Sequence, residues 1–140
     1  MTNLNLGSFM DVVDHPDWTN IDILPLGLML PSSIRFLQAD LSKGLPMFTD
    51  SSVDLIRMSH LIEHITLDQA KRLLKDCHRV LKPGGLLLLS TPNAVWWRER
   101  LRSLAGRTPG SEGYHYRFFS VRTVRAMCEA AGFTVGTMEF

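Results

Sequence analysis

Leu81-Lys82-Pro83-Gly84-Gly85-Leu86-Leu87-Leu88-Leu89-Ser90 is the stretch whose reading decides the fold class. A proline stops a helix, two glycines make a turn, and an apolar run follows that reads as a buried strand, Leu86 to Ser90. The helix ahead of it is well marked. Thr66 and Gln69 form a capping-box pair, which predicts a start at Leu67. Leu67, Ala70, Leu73, Leu74, Cys77, Val80 and Leu81 recur at helical spacing on one face, while Lys71, Arg72, Lys75, Asp76 and Arg79 fill the other. Before that helix, Val53 to Met58 reads as a strand running into Ser59-His60-Leu61-Ile62-Glu63-His64. Strand, helix, turn and buried strand in succession belong to an α/β domain with a parallel sheet.

Outward from this centre the pattern continues. Leu4 to Leu6, Trp18 to Ile23 and Ile34 to Leu37 are further strands, with a Pro- and Gly-punctuated loop over 24–31 and another over 42–52. Ala94 to Leu104 is expected to be helical. Ser120 caps a helix whose Val121, Val124, Met127, Cys128 and Ala131 share a face, with Gly132 as its stop. Phe133 to Phe140 alternates as a last strand. The expected architecture is a doubly wound, mainly parallel sheet in one domain spanning 1–140.

Composition excludes several classes. The 140 residues are 45% hydrophobic and 21% charged, with a formal net charge of +1, so no global field draws the chain to nucleic acid or anionic membranes. Ile21 to Leu30 is interrupted by Asp22, Pro25 and Gly27 and is too short to span a bilayer. The start carries no basic region followed by an apolar run, so a cytoplasmic location is expected. Cys77 and Cys128 each fall on the apolar face of a helix and read as free buried thiols.

A doubly wound sheet binds ligands at the carboxyl ends of its strands. The candidate residues are therefore those just past each strand. Gly7 and Ser8 offer a tight turn and close backbone approach, or an ordinary turn. Asp22 ends the second strand, where a carboxylate can accept both ribose hydroxyls; a solvated turn residue is the alternative. Asp40 could accept from an amino group or start an Asx turn. His60, Glu63 and His64 would converge if they lay on one helix. That string also matches the inverted zinc-hydrolase pattern, and a structural capping role stays open beside it. Trp96, Trp97, Arg98, Arg100 and Arg102 suggest a basic aromatic face, and Tyr114-His115-Tyr116 sits in a loop suited to substrate contacts.

The order and spacing of these pieces resemble the class I S-adenosylmethionine-dependent methyltransferases, in particular a small type-11-like group. Leu4-Asn5-Leu6-Gly7-Ser8 and Trp18 to Asp22 are similar to its first motif and ribose acid. Asp40-Leu41, Leu45-Pro46 and Asp50 to Ile56 are similar to the adenine side and fourth strand. Ser59 to His64, Arg79 to Gly85 and Phe119 to Phe133 complete the resemblance.

The resemblance implies S-adenosylmethionine as cofactor, with Gly7 and Ser8 on its methionine part, Asp22 on the ribose and Asp40-Leu41 at the adenine. Ser59 and His60 would line the sulfonium side. No metal ligand is assigned, although some relatives hold a divalent metal with a Glu-His pair in this region, which makes Glu63 and His64 a metal-holding alternative to a base. The implied reaction is methyl transfer to an oxygen or nitrogen of a small molecule, glycan or lipid intermediate. His64 is the first candidate base and His115 the second. Phe9 stands where the family usually has a second glycine, and a bulky side chain there would crowd the cofactor unless the loop turns away. The family sheet also ends in a seventh strand antiparallel to the sixth. Because Phe140 falls in the sixth, that strand is expected as an exposed edge unless another chain or segment covers it, which fits either a truncated copy or a sheet completed by dimerisation. The same two departures fit a non-catalytic methyltransferase-like binding or regulatory protein.

Overall fold

The computed structural model describes residues 1–9, 11–92 and 119–138. Five strands form one sheet: β1 (Asn3–Leu6), β2 (Trp18–Asp22), β3 (Phe36–Gln38), β4 (Val53–Ser59) and β5 (Leu81–Ser90). Their order is β3-β2-β1-β4-β5, and every neighbouring pair is parallel. The order runs outward in both directions from β1, which places a topological switch between β1 and β4. Among the described residues two helices accompany the sheet, α1 (Leu67–Val80) and α2 (Val121–Ala130).

The helix starts are where the chemistry puts them. Thr66 Oγ1 accepts from the Gln69 N–H and Gln69 Oε1 accepts from the Thr66 N–H, completing the capping box of α1. Ser120 Oγ accepts from the Thr123 N–H at the head of α2. Helix α1 ends at Val80, because Leu81 is already extended ahead of the Lys82-Pro83 pair. Thus β5 begins five residues earlier than the apolar run suggested. Val53 pairs with Leu81 and Leu55 with Leu86, so the Lys82–Gly85 turn bulges out of the sheet. Gly84 supplies a φ of +80°, and a Cβ on Gly85 would lie 2.9 Å from the Lys82 carbonyl oxygen.

One face of the sheet is apolar. Leu4, Leu6, Ile21, Ile56 and Met58 pack with Ala70, Leu73, Leu74, Cys77 and Val80 of α1 and Val124, Met127 and Cys128 of α2. Both cysteines are free and buried, and burial pushes both thiols up from their ordinary range. Arg79 fastens the 42–52 loop to α1. Its guanidinium donates to the Leu45 and Phe48 carbonyls and pairs with Asp50 and Asp76, while Asp76 accepts from the Leu45 N–H.

The other face is built differently. Asn5 and Asn20 alternate with the core residues and are opposite one another in the β1–β2 register. Asn5 Nδ2 donates to Asn20 Oδ1 (2.9 Å) and to the Asp11 carbonyl (2.7 Å). Asn20 Oδ1 accepts from the Val13 N–H, and its Nδ2 donates to the Val13 and Arg35 carbonyls. Arg57 of β4 pairs with Asp11. The segment between β1 and β2 is therefore pinned across the sheet by side-chain hydrogen bonds.

Phe133–Met138 does not pair as a strand, which corrects the expected last strand over its described part. Phe133 instead packs edge-on against His78 (ring centroids 5.1 Å apart), and Val135 and Met138 lie against the core. The burial gained on the helical layer outcompetes pairing at a sheet edge. The expected 94–104 helix, its Trp96, Trp97, Arg98, Arg100 and Arg102, and the Tyr114-His115-Tyr116 loop lie outside the described residues. No described helix is long and apolar enough to cross a membrane.

Asn20 is fully buried, so Asn20→Ala strands the Val13 amide and carbonyl without partners. The expected loss is about 2–4 kcal/mol, read as a lowered urea midpoint at unchanged slope.

Candidate active site

The carboxyl edge of the sheet carries most of the expected site residues in one chain of contacts. Gly7 follows β1 with a φ of +69°, a conformation that favours glycine. A Cβ there would lie 3.2 Å from Leu61 Cβ and Cδ1, so the turn after β1 is packed on the segment after β4. The Gly7 and Ser8 N–H groups both donate to the Ile21 carbonyl, at 2.9 and 3.3 Å. The Ser8 hydroxyl is buried and has no hydrogen-bond partner among the described residues. An orphaned hydroxyl beside a glycine-lined turn suits a polar ligand group, so these residues fit the methionine end of an S-adenosyl cofactor.

Phe9 takes a φ of +25° and its side chain is 56% exposed. The backbone thus turns at this position in a way an L-residue rarely does, and the ring points out to solvent. Its N–H donates to Asp22 Oδ2 (2.9 Å), and the Leu24 N–H donates to Asp22 Oδ1 (3.0 Å). Asp22 is buried at the end of β2 and fastens the β1 turn to its own strand end. A carboxylate offers about four acceptor positions, so about two remain for ribose hydroxyls.

Asp40 lies one step along, joined to Asp22 through the Ala39 N–H to Asp22 carbonyl bond. Its Oδ1 accepts from the Ser42 hydroxyl (2.6 Å) and N–H (3.1 Å), and Lys43 Nζ stands 3.5 Å from Oδ2. Asp40 is therefore the cap of a short 3-10 turn, Leu41–Lys43, and the Ser42 hydroxyl holds its carboxyl below the usual range. Leu41 itself is buried in the core.

The segment after β4 departs from the expected helix. Ile62–His64 is one 3-10 turn, and His60 precedes it with a φ of +51°. The α-helical convergence of His60, Glu63 and His64 is therefore not formed. Glu63 is buried and its Oε1 lies 3.4 Å from His60 Nδ1, whereas His64 sits exposed at the end of the turn. A zinc-hydrolase motif needs both histidines on adjacent turns of one α-helix, and this backbone does not provide them. No three His, Cys, Asp or Glu side chains among the described residues form a metal-holding group. Thr91, one of the post-strand residues expected at this edge, donates its hydroxyl to Glu63 Oε2 (3.0 Å). Its place just past β5 was the one available signal.

Comparison with known proteins agrees with this geometry. The family described as a methyltransferase domain matches residues 8–137. The chain is a member of the class I S-adenosylmethionine-dependent methyltransferases. A probable S-adenosylmethionine-dependent methyltransferase of Mycolicibacterium smegmatis is 35% identical over 105 residues, 72% of this chain and 37% of the relative. A malonyl-[acyl-carrier protein] O-methyltransferase of Coxiella burnetii is 34% identical over 117 residues, 79% of this chain and 39% of that protein. The chain spans well under half the length of these curated relatives. Among solved structures, an S-adenosylmethionine-dependent methyltransferase from Archaeoglobus fulgidus superposes with a TM-score of 0.75 at 18% identity, covering 95% of this chain and 61% of that one. This likeness shows the shared methyltransferase fold, and S-adenosylmethionine is the family's cosubstrate.

Two outcomes follow for this methyltransferase fold. Gly7→Ala should cost about 1–3 kcal/mol in thermal unfolding, and adding Leu61→Ala should restore only part of it, since the backbone strain persists. Asp40 has a lowered folded pKa, so its contribution is present above the ordinary carboxylate range and lost as pH falls through the lowered value. Stability measured against pH should accordingly lose part of its acid dependence in Asp40→Asn.

Proposed function

We propose that this chain binds S-adenosylmethionine along the carboxyl edge of β1, β2 and β4 and takes part in methyl transfer to an oxygen or nitrogen. The observation that carries the reading is the Gly7–Ser8 turn. It is packed against Leu61, bonded to the Ile21 carbonyl, and holds a buried hydroxyl that no described residue satisfies. When bound, the cofactor supplies a methyl group already activated by a positive sulfur, which leaves alignment, water exclusion and proton removal to the protein.

In this reading Gly7 and Ser8 receive the methionine part, and the remaining acceptor positions of Asp22 take the ribose hydroxyls. Asp40 and Leu41 stand at the adenine. Ser59 and His60 line the reacting side, and His64 is the base foreseen from sequence. A small molecule, glycan or lipid intermediate is the proposed acceptor class. Oxygen is favoured by the 34% identity to a relative named as an O-methyltransferase.

Titration calorimetry with S-adenosylhomocysteine tests the proposal directly. Binding at one site per chain is expected, weakened at least about tenfold, or about 1.4 kcal/mol, in Gly7→Ala. No heat at millimolar ligand overturns it.

A further inference from the structure

We infer that Glu63 holds His60 as the Nδ1–H tautomer, so that His60 Nε2, rather than His64, is the proton-accepting atom at the carboxyl edge. This rests on the methyl-transfer reading and deepens it. Glu63 is 1% exposed, and a buried carboxylate needs partners. Oε2 has the Thr91 hydroxyl, but Oε1 receives no hydrogen bond among the described residues. The cationic-capable group that faces Oε1 is His60 Nδ1, 3.4 Å away.

The backbone aims the ring. His60 is one of three non-glycine residues with positive φ among the described residues, and its N–H donates to the Ser90 carbonyl, next to Thr91. The end of β5 therefore anchors both members of the pair: Ser90 fixes the His60 backbone and Thr91 fixes the Glu63 carboxylate. The His60 side chain is 64% exposed while its Nδ1 lies on the buried carboxylate, which leaves the rest of the ring accessible. Nδ1 faces the buried carboxylate and Nε2 faces out. A carboxylate behind a histidine selects its tautomer in this way and stabilises the imidazolium that forms when Nε2 takes a proton.

The step balances without a further reactant. The acceptor's lone pair forms the new bond to the methyl carbon, and the electron pair of the broken carbon–sulfur bond stays on sulfur. The proton from the acceptor's O–H or N–H goes to His60 Nε2. Glu63 touches none of the reacting atoms and is a positioning residue.

Long-range nitrogen–proton NMR of the histidine rings in the intact chain tests the inference, at a pH where the imidazoles are neutral. His60 should show a protonated Nδ1 and an unprotonated Nε2, and Glu63→Leu should shift the ring towards the Nε2–H form. A wild-type His60 already in the Nε2–H form overturns the inference, whether or not the variant folds. The calorimetric titration runs on the same sample. Loss of S-adenosylhomocysteine binding with the Nδ1–H signature intact sinks the methyl-transfer reading alone, and binding with an Nε2–H ring sinks the tautomer assignment alone.

Discussion

The buried amide pair Asn5–Asn20 is the constraint on which the ligand edge depends. The segment between β1 and β2 has no regular secondary structure of its own in its described residues, so its path requires another source of order. Here two strand side chains supply it by bonding the backbone at Asp11, Val13 and Arg35. Each bond is modest in exchange with water, but its loss leaves a buried polar group unpaired. The path of the chain between β1 and β2 follows, and with it the register that sets Gly7 under the Ile21 carbonyl.

The apolar face carries the opposite economy. Helices α1 and α2 meet Leu4, Leu6, Ile56 and Met58 through area burial, which is non-directional and forgiving of sequence. The 42–52 loop places Leu45 in the same core and Phe48 against it, and is also tied down by Arg79 through two carbonyls and two carboxylates. Hydrophobic burial makes the layer, and directional polar bonds place the loops that reach the carboxyl edge.

This division explains what could be read from the residues alone. The capping box at Thr66, the apolar stripe from Ala70 to Val80 and the Ser120 cap are local signals, and each is where its pattern put it. The parallel sheet followed from the alternation of such elements. The segment 59–64 was less legible. Its helical spacing was real, but a short turn entered through a left-handed His60 separates residues that an α-helix would align. Asn5 and Asn20 gave only a faint sign, as amides alternating with core aliphatics, because their partners are backbone groups far along the chain. Phe133–Met138 alternates like a strand, yet a contact with His78 and the core competes successfully for it.

In the proposed binding mode Asp22 would join two jobs that are usually separate. The carboxylate proposed for the ribose hydroxyls also holds the Phe9 N–H, so the loop and the ligand would draw on one side chain. Loop order and ligand affinity are then two sides of a single linkage: whatever tightens the grip of Asp22 on Phe9 changes the free energy left for the ligand, and the converse holds by reciprocity.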